Sequence, residues 1–169
     1  MARRLARSRP LAPPVTPGAQ AGWLFGLAGL IPFFVAAAAM WAGPGRLGHW
    51  AGVAVLALLA YSATITSFLG GVRWGFELQR PGGPDPRLLF LSVTPQIAAW
   101  ALLFMPMPGP APLAWRFGGL LALLVVVGMA DVLSRDLPEW YRTLRIPLTV
   151  GAGAALLAAL LWTDRKSVV

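Results

Sequence analysis

The 169-residue chain has no cysteine, no asparagine and one histidine, His49. Without cysteine there is no disulfide frame, no thiolate metal site and no cysteine nucleophile. A single imidazole cannot supply the clustered ligation of haem, zinc or copper. Neither a metal site nor a cofactor is therefore expected. Charge is scarce too, at 12% of residues, about half the share of an ordinary soluble domain. Catalytic signatures are missing as well: no nucleotide-binding loop, no acids at glycosidase spacing, no G-x-S-x-G and no H-E-x-x-H occurs. Gly82-Gly83 reads as a turn. No catalytic residue is expected, and with so thin an acid–base repertoire a membrane enzyme is the least favoured reading.

What is present is apolar surface. Hydrophobic residues make up 57% of the chain and the mean hydropathy is +0.68. A soluble fold of this size could not hide that much, whereas lipid accepts it everywhere. The fold class expected is all-α, a polytopic membrane helix bundle. The formal charge is +8, but the arginines sit in connecting segments rather than on one solvated face. They read as topology signals and contacts with anionic lipid, with no nucleic-acid partner.

Residues 1–20 form a basic, proline-rich cytoplasmic tail expected to be disordered, with Arg3, Arg4, Arg7 and Arg9 unaccompanied by acid and Pro10, Pro13, Pro14 and Pro17 opposing a helix. Residues 21–169 read as one membrane domain. Five apolar stretches each approach the roughly 20 residues that cross a bilayer core: Ala21–Trp41, Trp50–Val72, Leu88–Met107, Trp115–Ser134 and Leu144–Trp162. Tryptophans at their ends make an aromatic belt. With the N-terminus inside, ten of the Lys and Arg residues fall on the cytoplasmic side and four (Arg46, Arg116, Arg165 and Lys166) outside. That bias predicts a cytoplasmic N-terminus in a bacterial inner membrane, with the mitochondrial inner membrane as the alternative. Asp136, Pro138 and Glu139 form a D-x-x-E capping pattern with proline in the first turn, so the fifth helix should begin before the membrane.

Polar side chains inside the spans cluster toward the cytoplasmic half. Tyr61, Thr64, Ser67, Ser92 and Gln96 are candidates to line a cavity there, and the same residues could equally be ordinary interhelical hydrogen bonding. In the second span, Tyr61, Thr64, Phe68, Gly71 and Gly75 share one face, while Ser62, Thr66 and Arg73 share the opposite one. A helix small or polar on both sides should be central. Gly70, Gly71 and Gly75 are candidates for close helix packing, and Leu58 is expected to face lipid or a loose contact. Pro32 and Pro95 each leave a carbonyl without its helical donor, which builds a bend or a site. Asp131, about one turn inside the fourth span, needs a cation. Arg135 is the local choice, and Arg73 and Arg145 are choices across the bundle. The expectation is an Asp131-centred cluster with Arg73 and Arg145, and with Trp74 and Tyr141 nearby.

Three stretches, LFGLAGLIPFF (24–34), YSATITSFLGGVRWG (61–75) and LPEWYRTLRIPLTV (137–150), carry a likeness. Through them the chain resembles the domain of unknown function 3429 family, over most of its length beyond the tail. The resemblance implies a small multi-span inner-membrane protein and carries no activity. The motif residues are Gly29, Pro32, Tyr61, Phe68, Gly70, Gly71, Trp74, Gly75, Trp140, Tyr141 and Arg145. The functional expectation is an accessory or assembly subunit acting through lipid, anionic lipid included, or through another membrane protein. The alternative is a small transporter or channel using the cytoplasmic polar layer.

Overall fold

The computed structural model describes residues 16–106, 109 and 112–167. Its helices are α1 (Pro17–Ala28), α2 (Ile31–Ala42), α3 (Pro44–Leu47), α4 (Trp50–Leu78), α5 (Pro86–Phe104), α6 (Pro112–Leu133) and α7 (Glu139–Ser167), with no strand among the described residues. Among the described residues, five segments are long and apolar enough to cross a membrane, α1 and α2 together making the first. At 1.5 Å per residue the 29 residues of α4 and of α7 reach about 43 Å, well beyond a core of about 30 Å. Their ends therefore extend into the headgroup region.

Proline starts helices here more often than it stops them. Pro17 opens α1 behind Thr16, whose hydroxyl accepts from the Ala19 N–H at 3.3 Å. Its fixed φ and missing N–H suit a first turn. The first span thus starts at Pro17, before the expected Ala21, while residues 1–15 lie outside the described residues. Pro86 and Pro112 begin α5 and α6. The first span breaks at Gly29 and Leu30, just before Pro32 in the first turn of α2, and the Tyr61 hydroxyl donates to the freed Gly29 carbonyl at 2.9 Å. By contrast, α5 and α7 run on as single helices through Pro95 and Pro147.

The core runs along α2, α4, α6 and α7, where Phe33, Met40, Leu58, Phe117, Leu120, Leu124 and Leu156 are fully buried. α4 packs against α2, α5 and α6, which makes it central. Its phase, however, differs from the sequence expectation. Leu58, Ser62, Thr66, Leu69 and Gly70 face the core. Thr64, Phe68 and Gly71 face outward. Lipid tolerates Thr64 because its hydroxyl donates to the Ala60 carbonyl at 2.9 Å within its own helix. Of the three glycines, Gly70 alone meets a neighbour: a Cβ there would run into the Ser92 carbonyl oxygen of α5, whereas Gly71 and Gly75 stand in open space. Leu58, expected at lipid, is sealed in the core. Alanine and glycine are permissive on either face, so composition did not fix the phase.

Helix contacts elsewhere also rest on glycine. Side chains of α7 fill the space beside α1, so that a Cβ on Gly22 would lie 2.7 Å from Trp140. A Cβ on Gly128 of α6 would strike Thr149 of α7. That close approach sets the depth at which Asp131, three residues further along α6, meets α7.

A buried charge cluster at the arginine-rich end

The up-and-down order of the spans brings the end of α4, the start of α5, the end of α6 and the start of α7 to one side of the bundle. Arg73, Arg80, Arg87, Arg135, Arg142 and Arg145 all belong to that side. Asp131 is 0% exposed. Arg73 of α4 donates from Nε to its Oδ1 at 2.7 Å. Arg145 of α7 holds Nε at 3.0 Å from Oδ2. The second pair is at ion-pair distance but off the line of a hydrogen bond, a lesser loss for two charges than for neutral groups because charge attraction is not directional. Two arginines from different helices thus clamp one carboxylate, and the set carries a net charge of +1. Arg135, the local alternative, is exposed.

The clamp does not use every donor. Among the described residues, Arg73 Nη2, Arg145 Nη2 and the Thr149 hydroxyl are buried without a hydrogen-bond partner, while the Tyr141 hydroxyl lies beside the Asp131 carboxylate. Tyr141, Arg145 and Thr149 recur at four-residue spacing on one stripe of α7. Trp74, expected beside the cluster, is 39% exposed on the outside of α4.

Beside the clamp lies a second network that the sequence reading did not single out. Glu77, buried at the end of α4, accepts the Asp85 backbone N–H at 2.7 Å and is ion-paired with Arg80, whose Nε lies 2.7 Å away. Asp85 caps α5 through the Arg87 N–H at 2.8 Å. Arg80 also reaches Asp136 at 3.5 Å. Asp136 is therefore turned toward α4, and α7 opens at Glu139 with the Pro138 carbonyl receiving the first N–H groups. Arg142 donates from Nε to the Val132 carbonyl at 2.9 Å, satisfying the end of α6. The signal for the Glu77–Arg80 pair was present as an acid and an arginine three residues apart on one helix.

The five residues put forward for a cavity lie in different places. Tyr61 is spent on the break in the first span. Ser92 is buried against Gly70 and donates to Leu89 O at 2.6 Å. Thr64, Ser67 and Gln96 line an open groove between α4 and α5, with Ala60, Ala63 and Trp100. Ser67 donates there to Gln96 Oε1 at 3.3 Å. At the opposite end of the bundle Trp41 donates to the Ala158 carbonyl at 3.1 Å, under the Arg165 guanidinium.

These features define a five-span helical membrane protein stitched at one end by buried charge. Residues 19–161 match the family described as Protein of unknown function (DUF3429), and the chain belongs to that family. It is similar to Transmembrane protein 69 of Xenopus tropicalis, 39% identical over 145 residues, which are 80% of this chain and 52% of the frog protein. It is also similar to Transmembrane protein 69 of Mus musculus, 30% identical over 112 residues, 61% of this chain and 42% of the mouse protein. The chain thus spans about half the length of these relatives or less. No solved structure matches.

Proposed function

We propose that this chain is an accessory or assembly subunit that receives a helix of another membrane protein in the groove between α4 and α5. The observation that carries this is the exposed Gln96 carboxamide in a groove walled by Ala60, Ala63 and Ser67. Small residues let a foreign backbone come close. An amide facing hydrocarbon costs free energy until a partner accepts its hydrogen bonds. Only its oxygen is used among the described residues, which leaves the NH2 group for a carbonyl of a partner helix.

The transporter reading has weaker support. Ser62, Thr66, Ser92 and Thr94 spend their hydroxyls on carbonyls of their own helices, at 2.6 to 2.9 Å. The polar layer is therefore largely self-satisfied, as helix packing needs and as a water path does not. Residence in a bacterial inner membrane with the N-terminus cytoplasmic belongs to the same proposal. It rests on the arginines gathered at one end, where exposed Arg87 and Arg135 are placed for anionic headgroups.

The test is photocrosslinking in native membranes from a probe at Ile97 or Trp100, with Leu133 as a lipid-facing control. One defined protein crosslinked from both groove positions, absent from Leu133 and lost in Gln96→Leu, supports the reading. Crosslinks to lipid alone from all three positions overturn it.

A further inference from the structure

A crevice of about 330 Å³ lies between α1, α2, α4 and α7, separate from the proposed helix-docking groove except for the shared Phe68. Its walls are almost wholly apolar, Phe25, Leu30, Phe33 and Leu148 among them. Phe25 and Phe68, 73% and 63% exposed, stand at its lipid side. Three polar side chains line it, all from one stripe of α7: Tyr141, Arg145 and Thr149. Arg145 is 3% exposed, and its Nη2 and the Thr149 hydroxyl are buried donors the clamp leaves without partners among the described residues, while the Tyr141 hydroxyl lies beside the Asp131 carboxylate.

We infer that this crevice binds a single-chain amphiphile with a carboxylate head, a long-chain fatty acid. Two arginines face one aspartate, so the cluster is one negative charge short of neutrality and favours an anion. The guanidinium presents its remaining N–H edge in the planar geometry that suits a carboxylate. Arg145 is paired with Asp131 through one side only, and its buried outer N–H edge and the buried Thr149 hydroxyl are costly without an acceptor, which a carboxylate would supply. Arg145 lies six residues into α7, roughly 9 Å along its axis, so a head bound there sits near the membrane interface. The tail then follows Leu148 toward Phe33 and the core. At the lower end of the roughly 300–1,000 Å³ range of small-molecule sites, the crevice has room for one chain and not two.

The test uses the purified full chain in zwitterionic phosphatidylcholine nanodiscs with a diazirine-bearing palmitate as probe. Labelling is expected to saturate and to map to residues 22–33 and 139–152. Unlabelled palmitate should compete and hexadecanol, which has no charge, should not. Thr149→Val removes one donor at constant shape and should weaken competition by about tenfold, the size of a lost hydrogen bond to a charged group. Leu148→Trp, checked for folding by its melting temperature, should abolish labelling by filling the slot. Equal competition by hexadecanol overturns the inference, since it leaves only a greasy slot. So does stronger competition by phosphatidylglycerol, labelling spread over all five spans, or unchanged labelling in both variants. None of these results touches the groove, so the two proposals stand or fall separately.

Discussion

Replacing Asp131 by asparagine keeps the side chain's shape and removes its charge. The clamp then holds two arginines and no acid. Arg145 cannot escape, because its side chain is 4% exposed, whereas that of Arg73 at 28% can turn toward water. The cost is therefore mostly that of one buried cation stripped of its partner, about 3–5 kcal/mol. For a chain of this size that lowers the melting temperature by about 6–20 °C. Removing an arginine instead leaves a neutral pair. Arg145→Gln should thus cost less than Asp131→Asn, and Arg73→Gln least, since its pair is partly solvated. Thermal melting in mild detergent of the three single variants and of Asp131→Asn/Arg145→Gln gives the order and the coupling. The double should be more stable than the sum of the singles predicts, because the second change removes the orphaned cation. Additive effects, or an Asp131→Asn protein melting within about 2 °C of the parent, would refute the claim that these charges depend on one another.

Leu58→Ala should destabilise by about 2–5 kcal/mol, as for a core cavity, while Gly71→Leu should shift melting by less than about 0.5 kcal/mol, as on a free surface; similar losses in both would show that the outward phase of α4 is wrong. Gly70→Ala should lower the yield of monodisperse protein, because its methyl would meet the Ser92 backbone and cannot be accommodated by a rotamer change, whereas Gly75→Ala should purify normally. Glu77→Gln should loosen the α4–α5 turn, read as faster amide exchange or proteolysis at 79–85, with the α6–α7 turn less affected. Since the chain has no cysteine, single cysteines at Pro84 and Gly45, both exposed, report topology directly: Pro84→Cys should be reached only from the cytoplasm and Gly45→Cys only from outside, and the reverse would overturn the orientation.

The legible parts of this fold were those that lipid dictates. Five apolar runs set off by proline, glycine and arginine mark five spans, because a bilayer punishes unsatisfied backbone and charge alike. Asp131 could be paired with distant arginines for the same reason: a carboxylate at that depth must find a cation, and few exist. The phase of α4 was not legible in the same way. Its faces differ little in polarity, and in lipid an outward threonine bonded to its own helix is as acceptable as an inward one. Leu58 and Gly71 accordingly changed places relative to expectation. The glycine pattern misled for a related reason. Gly71-x-x-x-Gly75 is a packing motif only if another helix lies there, and spacing carries no information about the neighbour. Gly128, which meets Thr149, has no such partner in spacing and drew no notice.

The cavity residues show the other limit. Tyr61, Ser92 and Gln96 lie at similar depth, and depth was all the sequence could rank. Their environments diverge because each helix presents a different direction at that level: Tyr61 meets the break in the first span, Ser92 meets Gly70, and Gln96 faces an open groove with a hydrogen bond from Ser67. The same divergence separates the two surfaces that matter for function. On the α4–α5 side the polar group is neutral and exposed among small residues, a combination that suits another helix. On the α7 side the polar groups are buried donors around a surplus cation at the end of an apolar slot, a combination that suits an anionic amphiphile. One central helix borders both, with Phe68 between them. A ligand seated along α7 that displaces Phe68 would therefore change the wall of the groove across which a partner packs. Repeating the groove crosslinking with and without added palmitate measures that coupling. A change in crosslinking from Ile97 that disappears in Thr149→Val would link the sites, and an unchanged yield would show that α4 keeps them apart.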